Sequence, residues 1–87
     1  MARSDVNSMN NSCFGIYRGI VIDNDDPAGL MRIKVRVPTV LGTSESWAAA
    51  CAPPGATLLP DIDTEVWIEF ERGDPSFPVW MGVIRLP

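Results

Sequence analysis

The 87-residue sequence contains no histidine and only two cysteines, so it is poor in the residues that most often perform catalysis or bind metals. Histidine is the commonest general base and the commonest metal ligand. Cys13 and Cys51 are far apart and form no Cys-x-x-Cys pair of the kind used for zinc or redox chemistry. We interpret them as small apolar residues in a reducing compartment, in preference to a disulfide. The sequence therefore predicts neither a metal nor a cofactor.

Long apolar segments are also missing. The longest uncharged stretch, residues 46–60, contains Pro53 and Pro54 and is shorter than the roughly 20 residues that span a bilayer. The first twelve residues are polar and lack the apolar core of a signal peptide. We therefore expect a protein made in the cytoplasm, with no stable membrane insertion.

Basic residues are fewer than acidic ones, seven against eleven, which gives a net charge of −4. This balance argues against a protein that binds phosphate backbones over its whole surface. The hydrophobic share of 46% is ordinary for a soluble globular protein. A chain of this length buries only ~60% of its unfolded surface, so its stability is expected to be marginal unless a partner adds to it.

Apolar residues recur with a period of two along most of the chain, which predicts strands with one buried face. The eight prolines and seven glycines favour short elements and tight turns over long helices. Residues 1–13 are expected to form a flexible N-terminal arm, and residues 14–87 a single all-β domain. The prediction is a small, closed or half-closed antiparallel barrel of five strands, near residues 16–22, 31–37, 47–52, 65–71 and 79–84.

The acidic run Asp23, Asp25 and Asp26 resembles a set of calcium ligands. An EF-hand loop counted from Asp23 would, however, have Pro27 at position 5 and Lys34 at position 12, where ligands are required. The spacing therefore favours a solvated turn, in which Asp and Asn tolerate unusual backbone angles.

Candidate catalytic groups are poorly supported by their surroundings. Alternation places Glu65, Glu69 and Glu71 on the water-facing side of the fourth strand, whereas a general acid needs a raised pKa and a cleft. Ser44 and Ser46 have no histidine to activate them. We therefore expect no catalytic residue and a protein that is not an enzyme.

Three cations, Arg32, Lys34 and Arg36, alternate along one face of the second strand. In small barrels of this type the second and third strands often bind oligonucleotides, but such surfaces need aromatic residues for base stacking. Residues 31–37 contain none. The favoured interpretation is that these cations face water or meet acids on a neighbouring strand or subunit, and nucleic acid is not an expected partner. Oligonucleotide binding remains the alternative function.

Trp67 is expected to face outward, because Val66 and Ile68 on either side of it are assigned to the core. An outward tryptophan between glutamates is either an interface anchor or a residue covered by a loop of its own chain. The interface interpretation makes Glu65 and Glu69 a polar rim that meets basic residues of a neighbouring chain. The candidate interface residues are Trp67, Glu65, Glu69, Arg32, Lys34 and Arg36.

Seven segments, in this order and spacing, carry a resemblance to a known family: Tyr17-Arg18-Gly19-Ile20-Val21, Asp23-Asn24-Asp25-Asp26-Pro27, Arg32-Ile33-Lys34-Val35-Arg36-Val37-Pro38, Ser46-Trp47-Ala48, Glu65-Val66-Trp67-Ile68-Glu69-Phe70-Glu71, Gly73-Asp74-Pro75 and Pro78-Val79-Trp80-Met81-Gly82. Between Gly15 and Gly82 the chain resembles the OB-fold domain at the top of the central spike in contractile phage tails. That group includes tail-lysozyme spike proteins, phage baseplate assembly protein V and the valine-glycine repeat spikes of type VI secretion. One departure is Asp63-Thr64, which stands where relatives usually have Gly-Asp.

The resemblance implies a five-stranded OB-fold and a structural function. It implies a homotrimer packed beneath a ring-shaped baseplate hub protein, with a separate needle or tip protein below. Many relatives continue into a lysozyme domain or a needle, whereas this sequence ends at Arg85-Leu86-Pro87. We therefore expect an adapter between hub and needle, without lytic or piercing activity. Its expected location is the tail baseplate of the virion, after synthesis and assembly in the host cytoplasm.

Overall fold

The computed structural model describes residues 12–85, and these residues form a closed barrel of five strands. A one-turn helix, α1 (Pro38–Leu41), follows the second strand, and a 3-10 turn at Glu71–Gly73 follows the fourth. The strands are β1 (Tyr17–Asp23), β2 (Ile33–Arg36), β3 (Glu45–Ala50), β4 (Glu65–Phe70) and β5 (Pro78–Val83). No helix within the described range is long and apolar enough to cross a membrane. Most of the predicted N-terminal arm lies outside the described residues.

The strand order around the barrel is β1-β2-β3-β5-β4, with β4 returning to β1. All neighbours are antiparallel except β3 and β5, which run parallel through Ala49↔Val79 and Ala50↔Trp80. The prediction of an all-β, five-stranded barrel is confirmed, but the prediction of a purely antiparallel one is wrong at this pair. An odd number of strands in a closed ring cannot alternate in direction at every step, so at least one pair has to be parallel.

The core is the inner face that the period-two pattern predicts. On β2, Ile33 and Val35 are fully buried, and on β4 so are Val66 and Ile68, while the residues between them are partly exposed. The other core residues are Val21, Val37, Ala48, Phe70 and Trp80. Each buried large apolar side chain contributes roughly 1.5–3 kcal/mol. The alternation therefore fixes which side chains remain outside for contacts with partners.

The third strand begins two residues before its predicted start at Trp47. Its first pairs are Arg36↔Glu45 and Val35↔Ser46, so the polar residues before the tryptophan extend the β2–β3 ladder. The strand ends at Ala50, although the backbone N–H of Cys51 still donates to the carbonyl of Trp80 at 3.1 Å. Residues 51–64 then connect β3 to β4 without a helix or strand.

Candidate functional site

The outer face of β4 carries Trp67, which is half-buried and lies opposite Arg18 of β1. The Arg18 guanidinium carbon is 5.1 Å from the centroid of the Trp67 ring, a cation–π distance. Arg18 Nη1 also donates to Glu65 Oε1 at 3.3 Å. Trp67 faces outward, as alternation predicts, and the residue stacked on it belongs to the neighbouring strand rather than to a loop.

These side chains border a groove of about 630 Å³, which we call the Trp67 groove. Its lining consists of residues 16–20, Arg36, Pro38, Thr39, Glu65 and Trp67. Ile16, Ile20, Pro38 and Trp67 make much of this lining apolar, and Arg18 and Arg36 supply positive charge. Aromatic and arginine side chains around an apolar groove are typical of residues that anchor protein interfaces.

Arg36 uses only part of its guanidinium within the chain. Its Nη2 donates to Glu45 Oε2 on β3 at 2.6 Å. Its Nε is buried and has no hydrogen-bond partner among the described residues. A buried donor without an acceptor is costly. The Arg36 side chain is nevertheless 44% exposed, and Nη2 is the only guanidinium nitrogen that pairs with Glu45, so the exposed part of the guanidinium can donate further at the edge of the Trp67 groove.

A second group on the outer face, the Trp47 cluster, consists of Trp47, Arg32 and Lys34. Trp47 of β3 lies opposite Lys34 of β2. The Lys34 ammonium is 5.2 Å and the Arg32 guanidinium 5.3 Å from the centroid of its ring. Residues 31–37 contain no aromatic residue, so the sequence of β2 alone did not predict an aromatic partner for these cations. A correct β2–β3 register would have revealed it.

Arg32 also binds Asp26, and this pair organises the loop between β1 and β2. Arg32 Nε and Nη2 donate to the two Asp26 carboxylate oxygens at 3.0 and 2.8 Å. The backbone N–H groups of Ala28, Leu30 and Arg32 donate to the same carboxylate. Chiefly because of the Arg32 hydrogen bonds, the pKa of Asp26 lies well below its usual range, and the pKa of Arg32 is raised in turn.

The acidic run before Arg32 is therefore only partly the solvated turn that the sequence indicated. Asp25 is exposed, and its backbone N–H donates to Asp23 Oδ1. The Asp26 side chain, in contrast, is 2% exposed. Within residues 12–85 there is no group of three or more His, Cys, Asp or Glu side chains that could hold a metal ion.

The sequence model of the type VI secretion system/phage-baseplate injector OB domain matches residues 17–84, a range that contains all five strands. The chain belongs to this family. No curated protein matches it significantly. The predicted relationship to baseplate spike OB-fold domains is confirmed, and with it a structural role in a baseplate or injection device.

Within this injector OB domain, the six predicted interface residues fall into separate groups. Trp67, Glu65 and Arg36 line the Trp67 groove. Arg32 and Lys34 flank Trp47. Glu69 is exposed further along β4, opposite Val79. Two of the three predicted cations, Arg32 and Arg36, already pair with acids of their own chain.

Proposed function

We propose that this injector OB domain is a structural adapter at the centre of a contractile phage tail or related injection machine. It joins the hub ring above to a separate needle or tip protein below and performs no catalytic step. The observation that carries the proposal is the family match, which extends over every strand of the barrel. The Trp67 groove supports it, because an outward tryptophan beside arginines is a typical interface anchor.

The adapter acts as a homotrimer, which matches the threefold symmetry of a spike axis. A barrel this small buries limited surface by itself, so association adds to its stability. Several large apolar side chains are available for such contacts, since they are more than half exposed: Phe14, Ile16, Leu30, Leu58, Ile62 and Phe77. The assembled trimer belongs in the baseplate, after assembly in the cytoplasm of the producing cell.

Co-expression with the hub and needle proteins encoded by neighbouring genes tests the proposal. We expect size-exclusion chromatography with light scattering to give a trimer of the 9.5 kDa chain and a ternary complex with both partners. Omitting the hub or the needle in turn shows which contact each one makes. A chain that stays monomeric and binds neither partner would contradict the adapter function.

Oligonucleotide binding is the second candidate, and the Trp47 cluster is the observation that favours it. Trp47 of β3, flanked by Lys34 of β2 and by Arg32 just before β2, occupies the face that OB-folds use for single strands. Against it stand the net charge of −4 and the pairing of Arg32 with Asp26 and Arg36 with Glu45. The adapter function is therefore the one we adopt.

A further inference from the structure

The first half of β1 has one edge that no strand of the described chain covers. Residues Tyr17 to Ile20 pair with β4, but pairing with β2 begins only at Ile20↔Arg36. The Val21 backbone N–H donates to the Thr64 carbonyl, and the Val21 carbonyl accepts from the Asp63 N–H. Both backbone groups of Val21 therefore point to the β4 side of β1. Backbone groups alternate in direction along a strand. The N–H and C=O of Arg18 therefore point to the opposite, uncovered side.

Pro38 explains why β2 does not continue along this edge. Extending the Ile20↔Arg36 register by two residues would place Pro38 opposite Arg18. Proline has no N–H to donate. The Pro38 carbonyl already accepts from Gly42 at 3.2 Å, because the chain turns into α1 there. The open edge consequently faces the Trp67 groove, which residues 16–20 and Pro38 both line.

An extended peptide carrying an apolar side chain near an acidic one suits this groove. Its backbone would hydrogen-bond to the free edge, as in binding by strand addition. Its apolar side chain would contact Ile16, Ile20 and Pro38. Its carboxylate would reach Arg18 or Arg36, because each guanidinium makes one hydrogen bond to an acid of its own chain and has further N–H donors.

The chain itself carries an apolar side chain near an acidic one at residues 57–61, in the connection from β3 to β4. Residues 57–59 are the part that can pair with the free edge, because Pro60 is buried and its carbonyl accepts a hydrogen bond from Asn24 Nδ2 at 3.0 Å. Leu58 is 87% exposed, more than any other large apolar side chain in the described range. Residues 57–59 make no hydrogen bond with another described residue, so their backbone groups are available. Asp61, three residues after Leu58, is also exposed.

We propose that the Trp67 groove of one copy binds residues 57–59 of a second copy, with Leu58 in the groove and Asp61 facing its arginines. The groove and the loop are different surfaces, so the contact is heterologous. It repeats from copy to copy and closes into a ring of three when each copy is rotated by a third of a turn, as in the proposed homotrimer. Each site is complete only when a neighbouring copy supplies Leu58. The inference rests on the proposed homotrimer and specifies the contact that builds it.

Leu58→Asp tests the contact, with Leu30→Asp as the matched control, because Leu30 is also exposed, at 65%, but lies in a different loop. Both variants should keep the circular dichroism spectrum of the parent. We expect light scattering over a concentration series to show self-association of Leu58→Asp weakened more than about tenfold, and that of Leu30→Asp unchanged. Equal association of the parent and Leu58→Asp would overturn the contact.

Disulfide trapping tests the same contact without disrupting it. One variant carries Thr39→Cys in the groove and a differently tagged one carries Thr57→Cys, next to an intact Leu58, both with Cys13 and Cys51 replaced by alanine. We expect a cross-linked heterodimer when the two are mixed and oxidised, and none when Thr43→Cys, on an exposed turn, replaces Thr39→Cys. Equal cross-linking by Thr39→Cys and Thr43→Cys would exclude the proposed geometry.

The outcomes separate this contact from the function on which it rests. If the parent forms a trimer that binds the hub and Leu58→Asp forms the same trimer, the groove–loop contact is wrong and the adapter function stands. If the parent binds the hub as a monomer, the groove–loop contact is likewise wrong and the adapter function stands. A parent that neither self-associates nor binds the hub would overturn both.

Discussion

Asp26 shows how much one side chain can organise in a domain of this size. Its carboxylate accepts three backbone N–H groups and two Arg32 N–H groups, and so fixes the loop between β1 and β2. The sequence identified the acidic run but not this function, because the hydrogen bonds depend on the path of the loop. Asp25, one residue earlier, has the same charge and is exposed.

Asp26→Asn should lower stability at neutral pH, and the deficit should shrink in acid. The pKa of Asp26 is lower in the folded state than the ordinary value of about 3.9 that it regains on unfolding. Its contribution is therefore complete above about pH 4, and it declines below that because the unfolded state binds the proton first. Denaturant unfolding of parent and variant between pH 7 and pH 2 measures the difference.

Asp25→Asn serves as the control at neutral pH, where removing this exposed carboxylate should change stability by less than about 0.5 kcal/mol. A constant gap between the parent and Asp26→Asn across the whole range would show that ionisation of Asp26 does not stabilise the fold.

Trp67→Ala should leave the barrel folded and weaken its assembly. Trp67 lies outside the core, and its loss removes the surface on which Arg18 stacks. On the scale of interface anchors the loss is roughly 2–4 kcal/mol of association free energy. Light scattering of the chain alone and with its hub tests this. Trp47→Ala is the control, because Trp47 is also a half-buried tryptophan on the outer face. An unfolded Trp67→Ala variant, or equal weakening by both changes, would contradict the assignment.

At the scale of elements, alternation predicted the strands well because one face of each is buried. The inward set on β2 and β4 follows directly from Ile33, Val35, Val66 and Ile68. The start of β3 was less predictable, since Glu45 and Ser46 join the ladder through backbone pairing to β2. The Trp47 cluster was missed for the same reason, because a register between strands is a long-range property.

The packing of β1 on the core leads to a prediction at Gly19. A Cβ there would lie 2.8 Å from Ile68 Cγ1 and 3.4 Å from the Arg36 carbonyl oxygen. Because Ile68 is fully buried, Gly19→Ala should cost roughly 1–3 kcal/mol of unfolding free energy through overpacking. At Gly82 of β5 a Cβ would meet nothing within 4 Å, so Gly82→Ala should change stability by less than about 0.5 kcal/mol. Equal urea midpoints for the two variants would contradict the close packing of Gly19 against Ile68.

At the scale of the whole molecule, charge separates the two candidate functions. The net charge is −4, and Arg32 and Arg36 pair with acids of the same chain. Composition predicted this balance, whereas the intramolecular ion pairs became visible only in the fold. The family match and the charge both favour binding to proteins over binding to nucleic acids.

Single-stranded DNA should therefore bind no tighter than a Kd on the order of 10⁻⁴ M at physiological salt. Fluorescence anisotropy with a labelled oligonucleotide measures this. Submicromolar binding that is lost in Lys34→Ala and Trp47→Ala would make oligonucleotide binding the better function. Lys34 is a cleaner probe than Arg32, because removing Arg32 also disrupts the Asp26 loop.

The parallel β3–β5 pair has a further consequence for how the barrel opens. Only Ala49↔Val79 and Ala50↔Trp80 join these strands in register, whereas β4 and β5 pair along most of their length. Local opening follows the route that breaks least structure. In hydrogen–deuterium exchange we expect the Cys51 amide, which donates to Trp80 across this seam, to lose protection before the amides of β4. If the assembled partners contact both β3 and β5, exchange of the Cys51 amide should become slower. If they leave this strand pair uncovered, its exchange should not change.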